Sequence, residues 1–398
     1  MITDHFSILD WVLLSLLLVC MIVQVYFYLR YMAAPLRAKS EELRAKSEET
    51  PGVSVVLSAH NERENLSHYL RSLLNQDYPE FEVIVVDDGS EDDTRAIVES
   101  YMALDPRLHL TFVPYGARVR STKKLALTLA AKSAQYDFLL LTDADCVPES
   151  DQWIRRMMEG FSNSPQYGLT SNSVSGLTSI VLGFSPYFET QGLVNRIVRY
   201  DTLFNGLHYL GAALCGHPYM GVGRNLAYRK ALFFESGGFT HLMTNKAGDD
   251  DLFVNHVATP QNTAVVLSRD SFVWSPPKKT FKEWWQQKRR HLSVSPAYRR
   301  ETKCRLAIEP LTRGLFYAAF LAEVVYQLPI TNYQLPIPLL IAVSLFLIRW
   351  LMQTAVINLS AKRMGLRRFS MLTILGLDIF LPLTNLWMLL IPKKEGKW

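Results

Sequence analysis

VSVVLS (53–58), FEVIVVD (81–87) and DFLLLTDAD (137–145) are the stretches that decide the fold. Each is a short apolar run that ends in polar residues. The segments between them, 62–74, 92–104 and 122–134, have the length and apolar spacing of helices, and a further short run, LHLTFV, lies at 108–113. Runs with little polar alternation belong to strands covered on both faces, and strands alternating with helices of this length build βαβ units. The expected fold class is therefore α/β, a mixed but mainly parallel sheet with flanking helices. Ligands of such sheets bind at the carboxyl ends of the strands.

Those ends are rich in chemistry. Ser58-Ala59-His60-Asn61-Glu62 follows the first strand, Asp87-Asp88-Gly89-Ser90 the second and Thr142-Asp143-Ala144-Asp145 the last. One such ending alone reads equally well as a helix cap. Three at one edge crowd carboxylates that repel one another unless a cation or a hydrogen-bonding ligand sits among them. With the chain extended, Asp143 and Asp145 point to the same side, as two oxygen donors to Mg2+ or Mn2+ require. No P-loop is present and no G-x-G-x-x-G follows a strand, which removes the main support for a Walker-type ATPase or a dinucleotide-binding fold. A diphosphate would then be held by the metal and by cations, for which Lys123, Lys124 and the run 286–291 (QQKRRH) are candidates. Asp249-Asp250-Asp251, ahead of Leu252-Phe253-Val254, reads either as the charged first turn of a helix or as the source of a general base.

Outward from this core the composition changes. The 398 residues are 49% hydrophobic and 20% charged, too apolar for a disordered chain, and the net charge of +5 comes without a long basic tract, so a nucleic-acid partner is not expected. Cys20, Cys146, Cys215 and Cys304 stand far apart, which argues against a zinc cluster or a disulfide framework. Residues 8–29 form an apolar run of membrane-spanning length. Arg30, Arg37, Lys39, Arg44 and Lys46 follow it, and basic residues beside a span stay cytoplasmic. Three more apolar runs, 314–329, 336–359 and 371–391, suggest two or three further spans. The loop with Lys362, Arg363, Arg367 and Arg368 favours the cytoplasm, whereas three full crossings would put the tail Lys393, Lys394 and Lys397 outside. Phe281, Trp284 and Trp285 suit a helix lying at a membrane surface. The expected organisation is an N-terminal span and basic linker (1–50), a cytoplasmic α/β domain (51–300) and a C-terminal membrane region (301–398), in an inner or plasma membrane.

Taken in order, H-N-E at 60–62, DDGS at 87–90, DAD at 143–145, G-x-G-R-N at 221–225, GDDD at 248–251 and Q-x-x-R-H at 287–291 resemble the motifs of membrane-integrated family 2 glycosyltransferases of the GT-A fold. Cellulose, chitin, hyaluronan and poly-N-acetylglucosamine synthases and ceramide glucosyltransferase share this layout. The resemblance covers roughly 53–291. It implies that Asp87, Asp88 and Glu62 hold the uracil and ribose of a UDP-sugar and that Lys124 lies near the nucleotide or its phosphates. It also implies that Asp145, with Asp143, binds Mg2+ or Mn2+, and that Gln287 and Arg290 close over the diphosphate. Asp250 is the implied base, with Asp249 and Asp251 as register alternatives. Gly223, Arg224, Asn225 and His291 fall to the acceptor region, and His291 stands where the family usually carries tryptophan. The function implied is inverting, metal-dependent transfer from a nucleotide-diphosphate donor to a lipid or lipid-linked acceptor. A processive polysaccharide synthase is the alternative within the family, and a non-catalytic membrane scaffold or transport component is the alternative outside it.

Overall fold

The first apolar run becomes helix α1 (Ile8–Phe27). Its start is sealed reciprocally: the Ser7 hydroxyl accepts from the Asp10 N–H, and the Asp10 carboxylate accepts from the Ser7 N–H at 2.6 Å. Such a box satisfies donors that a helix start otherwise leaves open. This is a computed structural model that describes residues 6–38, 50–114, 116, 121–162, 178–242, 247–328 and 336–390. Lys39, Arg44 and Lys46 of the basic linker and the tail lysines 393, 394 and 397 lie outside the described residues. Two compact units result, Arg37–Tyr298 and the paired segments Met1–Leu36 and Arg299–Trp398.

In the Arg37–Tyr298 unit the β-branched runs form the central strands of a seven-stranded sheet of order β3-β2-β1-β4-β7-β6-β8. β1 (Val53–Ala59), β2 (Phe81–Asp87), β3 (Leu108–Phe112) and β4 (Phe138–Leu141) are parallel. β7 (Leu226–Arg229) runs antiparallel to both β4 and β6 (Ile180–Leu182), and β8 (Thr263–Val265) closes the edge parallel to β6. Val53, Val55, Leu57, Val83, Val85 and Leu140 are fully buried, as strands covered on both faces require. Helix α2 (Arg63–Leu74) shows why the helices stay: Leu66, Leu70 and Leu73 recur on one face and are buried against the sheet. α3 (Thr94–Met102) and α4 (Thr122–Ser133) complete the βαβ units.

One expectation is corrected here. The strand read as 137–145 ends at Leu141, and the Cys146 N–H donates back to the Asp143 carbonyl at 3.1 Å, so Asp143 and Asp145 lie in a turn and not on extended chain. β5 (Val147–Pro148) then leaves to pair with β9 (Val273–Trp274). Beyond that turn lie α5 (Trp153–Ser162), α6 (Leu193–Leu214), α7 (Lys230–Glu235), α8 (Asp251–Val257) and α9 (Phe281–Leu292).

The other unit is helical. α1 packs against α10 (Arg300–Gln327) and α11 (Ile337–Arg363), and α11 packs against α12 (Met371–Leu390). Among the described residues three helices are long and apolar enough to cross a membrane: Ile8–Met32, Ile337–Arg363 and Met371–Leu390. The run 314–329 falls in α10, which buries Glu309, Arg313 and Glu323 and is not among the three. At the centre of this unit Asp378 accepts hydrogen bonds from both Arg349 terminal nitrogens (3.0 and 2.9 Å), Arg313 Nη1 (2.9 Å), Gln353 Nε2 (2.8 Å) and the Tyr317 hydroxyl (2.6 Å).

Candidate active site

The loops after β1 and β2 are locked to each other before they can hold anything else. Asn61 adopts a left-handed φ of 55°, which asparagine tolerates. Its N–H donates to Ser90 Oγ (3.0 Å) and its Oδ1 accepts from the Glu91 N–H (2.8 Å). His60 Nδ1 lies 2.8 Å from the Asp88 carbonyl, and the Glu62 N–H donates to Thr94 Oγ1. Asp87 is buried and accepts from the Ser90 N–H, a turn that Gly89 makes at φ 73°. Burial raises the Asp88 carboxyl against a hydrogen bond from Thr122. Burial also raises Glu62; Asn65 opposes this by hydrogen bonding, and Asp145 and Asp143 add to it, which puts Glu62 within electrostatic reach of the DAD turn.

In that turn Asp143, Asp145 and Cys146 bring their ligand atoms within 4.8 Å of one another. Burial, followed by the two aspartates, pushes the Cys146 thiol up, so it stays protonated, and it hydrogen-bonds with Ser275 at 3.0 Å. The two carboxylates of this turn are hard oxygen donors, which fit Mg2+ or Mn2+.

Lys123 joins the turn to the acidic cluster. Its Nζ is 2.8 Å from Asp143 and 3.5 Å from Asp249. Burial pushes the Asp143 carboxyl up, but Lys123, then Arg224 and Arg290, more than reverse this and hold it below its ordinary value. Lys124, expected near the nucleotide or its phosphates, donates to the carbonyls of Leu242 (2.8 Å) and Ala247 (2.9 Å), whereas Lys123 contacts the aspartates.

The three consecutive aspartates occupy different environments. Asp250 caps α8, accepting from the Asp251 N–H (2.8 Å) and from the Gly223 N–H (2.7 Å). Burial and Asp249 raise its carboxyl against these bonds and Lys123. A Cβ on Gly223 would lie 3.3 Å from Asp250, so the glycine permits this approach. Asp251 is buried against Tyr298, whose hydroxyl donates at 3.1 Å, and burial followed by Asp250 pushes it up to about 8.

The Q-x-x-R-H motif lies on α9, whose N-terminus carries a capping box between Thr280 and Glu283. Gln287 Nε2 donates to the Tyr187 hydroxyl at 2.9 Å, and the Arg224 guanidinium stacks over the same ring at 4.3 Å. A buried ion pair, Lys288 to Asp201 at 2.6 Å, ties α9 to α6. The protein wall, then Arg290, Lys288 and Arg224, hold the His291 imidazole below its ordinary range, although its ring reaches solvent. Asn225, expected in the acceptor region, has its side-chain amide fully engaged by protein groups. It is buried, donating to the carbonyls of Phe184 and Ser271 and accepting from Trp153 Nε1, because the start of β7 needs those loops fastened to it. Tyr187 and Tyr298 escaped the sequence reading because no motif contains them and their partners are remote in the chain.

The model for Glycosyl transferase family 2 matches residues 54–210, within the α/β sheet, so this stretch is similar to that family, and the described residues also include helices long enough to span a membrane. Among its relatives, the poly-beta-1,6-N-acetyl-D-glucosamine synthase of Staphylococcus epidermidis is 29% identical over 161 residues, covering 40% of this chain and 38% of that protein. The synthase of the same name from Staphylococcus aureus strain COL is 28% identical over 156 residues, covering 39% of this chain and 36% of that protein. The chain thus matches well under half the length of these relatives. Among solved structures, the mannosyltransferase PcManGT from Pyrobaculum calidifontis, in complex with GDP-Man and Mn2+, superposes with a TM-score of 0.58 at 18% identity, covering 96% of this chain and 99% of that one. That likeness is one of fold.

Proposed function

We propose that the protein is an integral membrane, metal-dependent, inverting glycosyltransferase that moves a sugar from a nucleotide-diphosphate donor, a UDP-sugar, to a hydroxyl of a lipid or lipid-linked acceptor. The observation that carries this reading is the bridge made by Lys123, which brings the DAD turn and the GDDD cluster into one site. Asp145 with Asp143 would hold Mg2+ or Mn2+, which when bound neutralises charge on a diphosphate. Glu62, Asp87 and Asp88 face the nucleoside, and Lys123, Gln287 and Arg290 serve the phosphates. Asp250 is the proposed base. Its raised affinity for a proton makes it a stronger acceptor than an exposed carboxylate. Asp249 is the register alternative, while Asp251 is occupied by Tyr298. In the step proposed, the acceptor oxygen bonds to the anomeric carbon from the face opposite the diphosphate. The sugar–phosphate C–O bond breaks with its electron pair leaving on the diphosphate, and the hydroxyl proton passes to Asp250.

His291 in place of tryptophan removes the ring that would stack beside a long glycan, which favours single transfers. The similarity to polysaccharide synthases supports a second reading, chain extension on a growing glycan. The basic residues Arg30 and Arg37 after α1 support a cytoplasmic active site. The test is UDP release from a panel of UDP-sugars with Mg2+ or Mn2+ and native membrane lipids as acceptor, comparing wild type with Asp145→Asn and Asp250→Asn. Turnover with one donor, lost in both variants, is expected. No turnover and no nucleotide binding with any donor would leave the non-catalytic scaffold reading.

A further inference from the structure

Two cations at the site have no carboxylate of their own. Among the described residues, neither Arg224 nor Arg290 has an acidic partner within ion-pair distance, whereas Lys123 has two. A guanidinium without a counter-ion beside a ligand edge is a receptor for an anion. Arg290 was already expected over the diphosphate; Arg224, expected in the acceptor region, has not been given such a role.

The geometry around Arg224 is built to hold it in place. Gly223, the residue before it, is fastened by its N–H to Asp250. The guanidinium carbon lies over the Tyr187 ring, 4.3 Å from its centroid, and Nη2 donates to the Ser185 carbonyl at 3.2 Å. Nη1 is buried with no hydrogen-bond partner. An unmet buried donor costs roughly 1–3 kcal/mol, more on a charged group, and is retained where something else satisfies it. The neighbours say where the group lies. Tyr187 bridges to Ser275 in the backbone, Ser275 Oγ contacts Cys146 Sγ, and Cys146 follows Asp145 in the DAD turn. Tyr187 also accepts from Gln287, so one ring carries both Arg224 and the helix of Arg290. Burial opposes the charge on Arg224, while Tyr187, Cys146, Asp143 and Asp145, in that order, favour it, which puts the DAD turn within its electrostatic reach.

We propose that Arg224 is a donor-side residue: with Arg290 it forms a two-guanidinium clamp on the diphosphate of the nucleotide, Tyr187 positioning the first guanidinium by stacking and the second through Gln287. This rests on the glycosyltransferase reading above. The paired charges stabilise the leaving diphosphate as its negative charge grows, so Arg224 acts in binding and in departure of the leaving group.

The experiment is titration calorimetry of the full-length protein in detergent with UDP, UMP and uridine, each with Mn2+, for wild type, Arg224→Met and Arg224→Lys. Arg224→Met is expected to weaken UDP roughly tenfold to a hundredfold while leaving uridine unchanged. Retained uridine binding shows that the variant is folded. Arg224→Lys keeps the charge and loses the fork and the stack, so its UDP affinity should fall between the other two. Unchanged UDP affinity in Arg224→Met, with only the acceptor KM raised, would overturn the proposal and return Arg224 to the acceptor side. Equal weakening of UDP and uridine would overturn it as well, by showing a general collapse of the site. A wild type that binds none of the three would overturn the donor reading itself, and this inference with it.

Discussion

Asp378 in the helical unit and Asp143 in the α/β unit are both carboxylates set among cations, and they differ in how many of those cations they bond directly. Asp378 is fully buried and takes hydrogen bonds from two arginines, a glutamine and a tyrosine, so nothing is left for a ligand. Asp143 is a third exposed and takes one bond, from Lys123, while Arg224 and Arg290 act on it without pairing to it. A saturated buried ion holds helices in one arrangement, which matters most where the surroundings are apolar. An unsaturated one, with charge left over on both signs, is arranged for something that arrives later. The difference separates a structural charge cluster from a functional one by counting partners.

The largest test of this comparison is at the open cluster. Asp145→Asn and Asp250→Asn should each lower turnover about 10²–10⁴-fold while the unfolding midpoint stays close to wild type, read by UDP release and thermal unfolding side by side. At the closed cluster the balance should reverse. Asp378→Ala removes the carboxylate that Arg313 and Arg349 share, leaving Arg313 with Glu309 alone, and should cost about 3–5 kcal/mol of stability, measured by denaturant unfolding in detergent. A stable but inactive Asp378→Ala protein would break the distinction, because it would make the saturated cluster functional too.

Two smaller effects sharpen it within the α/β unit. Gly248 has φ 87°, and a Cβ there would lie 2.7 Å from Leu252 and 2.8 Å from Val294. Gly248→Ala should therefore cost about 1–3 kcal/mol and lower kcat by displacing the acidic turn, with nucleotide affinity largely kept. The smallest effect is one of pH. The folded-state pKa of Asp251 is raised to about 8, so the native state holds a proton that the unfolded chain has released above about pH 4. Its contribution to stability is whole below that unfolded value and is lost as pH rises toward 8, at up to about 1.4 kcal/mol per pH unit. Asp251→Asn should flatten the fall in midpoint between pH 6 and pH 8; an unchanged slope would show that Asp251 titrates as an exposed carboxylate.

Much of this was legible from the chain. β-Branched runs and the polar residues that end them located the sheet edge, because local apolar pattern and strand burial are one property seen twice. The polar loops after β1 and β2, the DAD turn and the acidic cluster were all visible as motifs in the chain. Other parts were not legible. The strand 137–145 was read four residues too long, since nothing in LLLTDAD marks the point where the turn begins to hydrogen-bond to itself. Lys123 and Lys124 are adjacent and identical in type, and only the rotation of α4 decides which faces the aspartates and which caps buried carbonyls. Asn225 reads like a site residue in G-x-G-R-N yet is spent on the core.

The sequence by itself determined the fold class, the family resemblance and the set of charged residues available, because these follow from local pattern and motif order. Only the tertiary structure decided how the charges are shared: that Asp249, Asp250 and Asp251 face a lysine, a glycine N–H and a tyrosine in turn, and that Tyr187 stands under Arg224. The physical reason is range. Patterning acts between neighbours a few residues apart, whereas a carboxylate's proton affinity and an arginine's freedom to bind depend on groups brought within a few ångströms from anywhere in the chain.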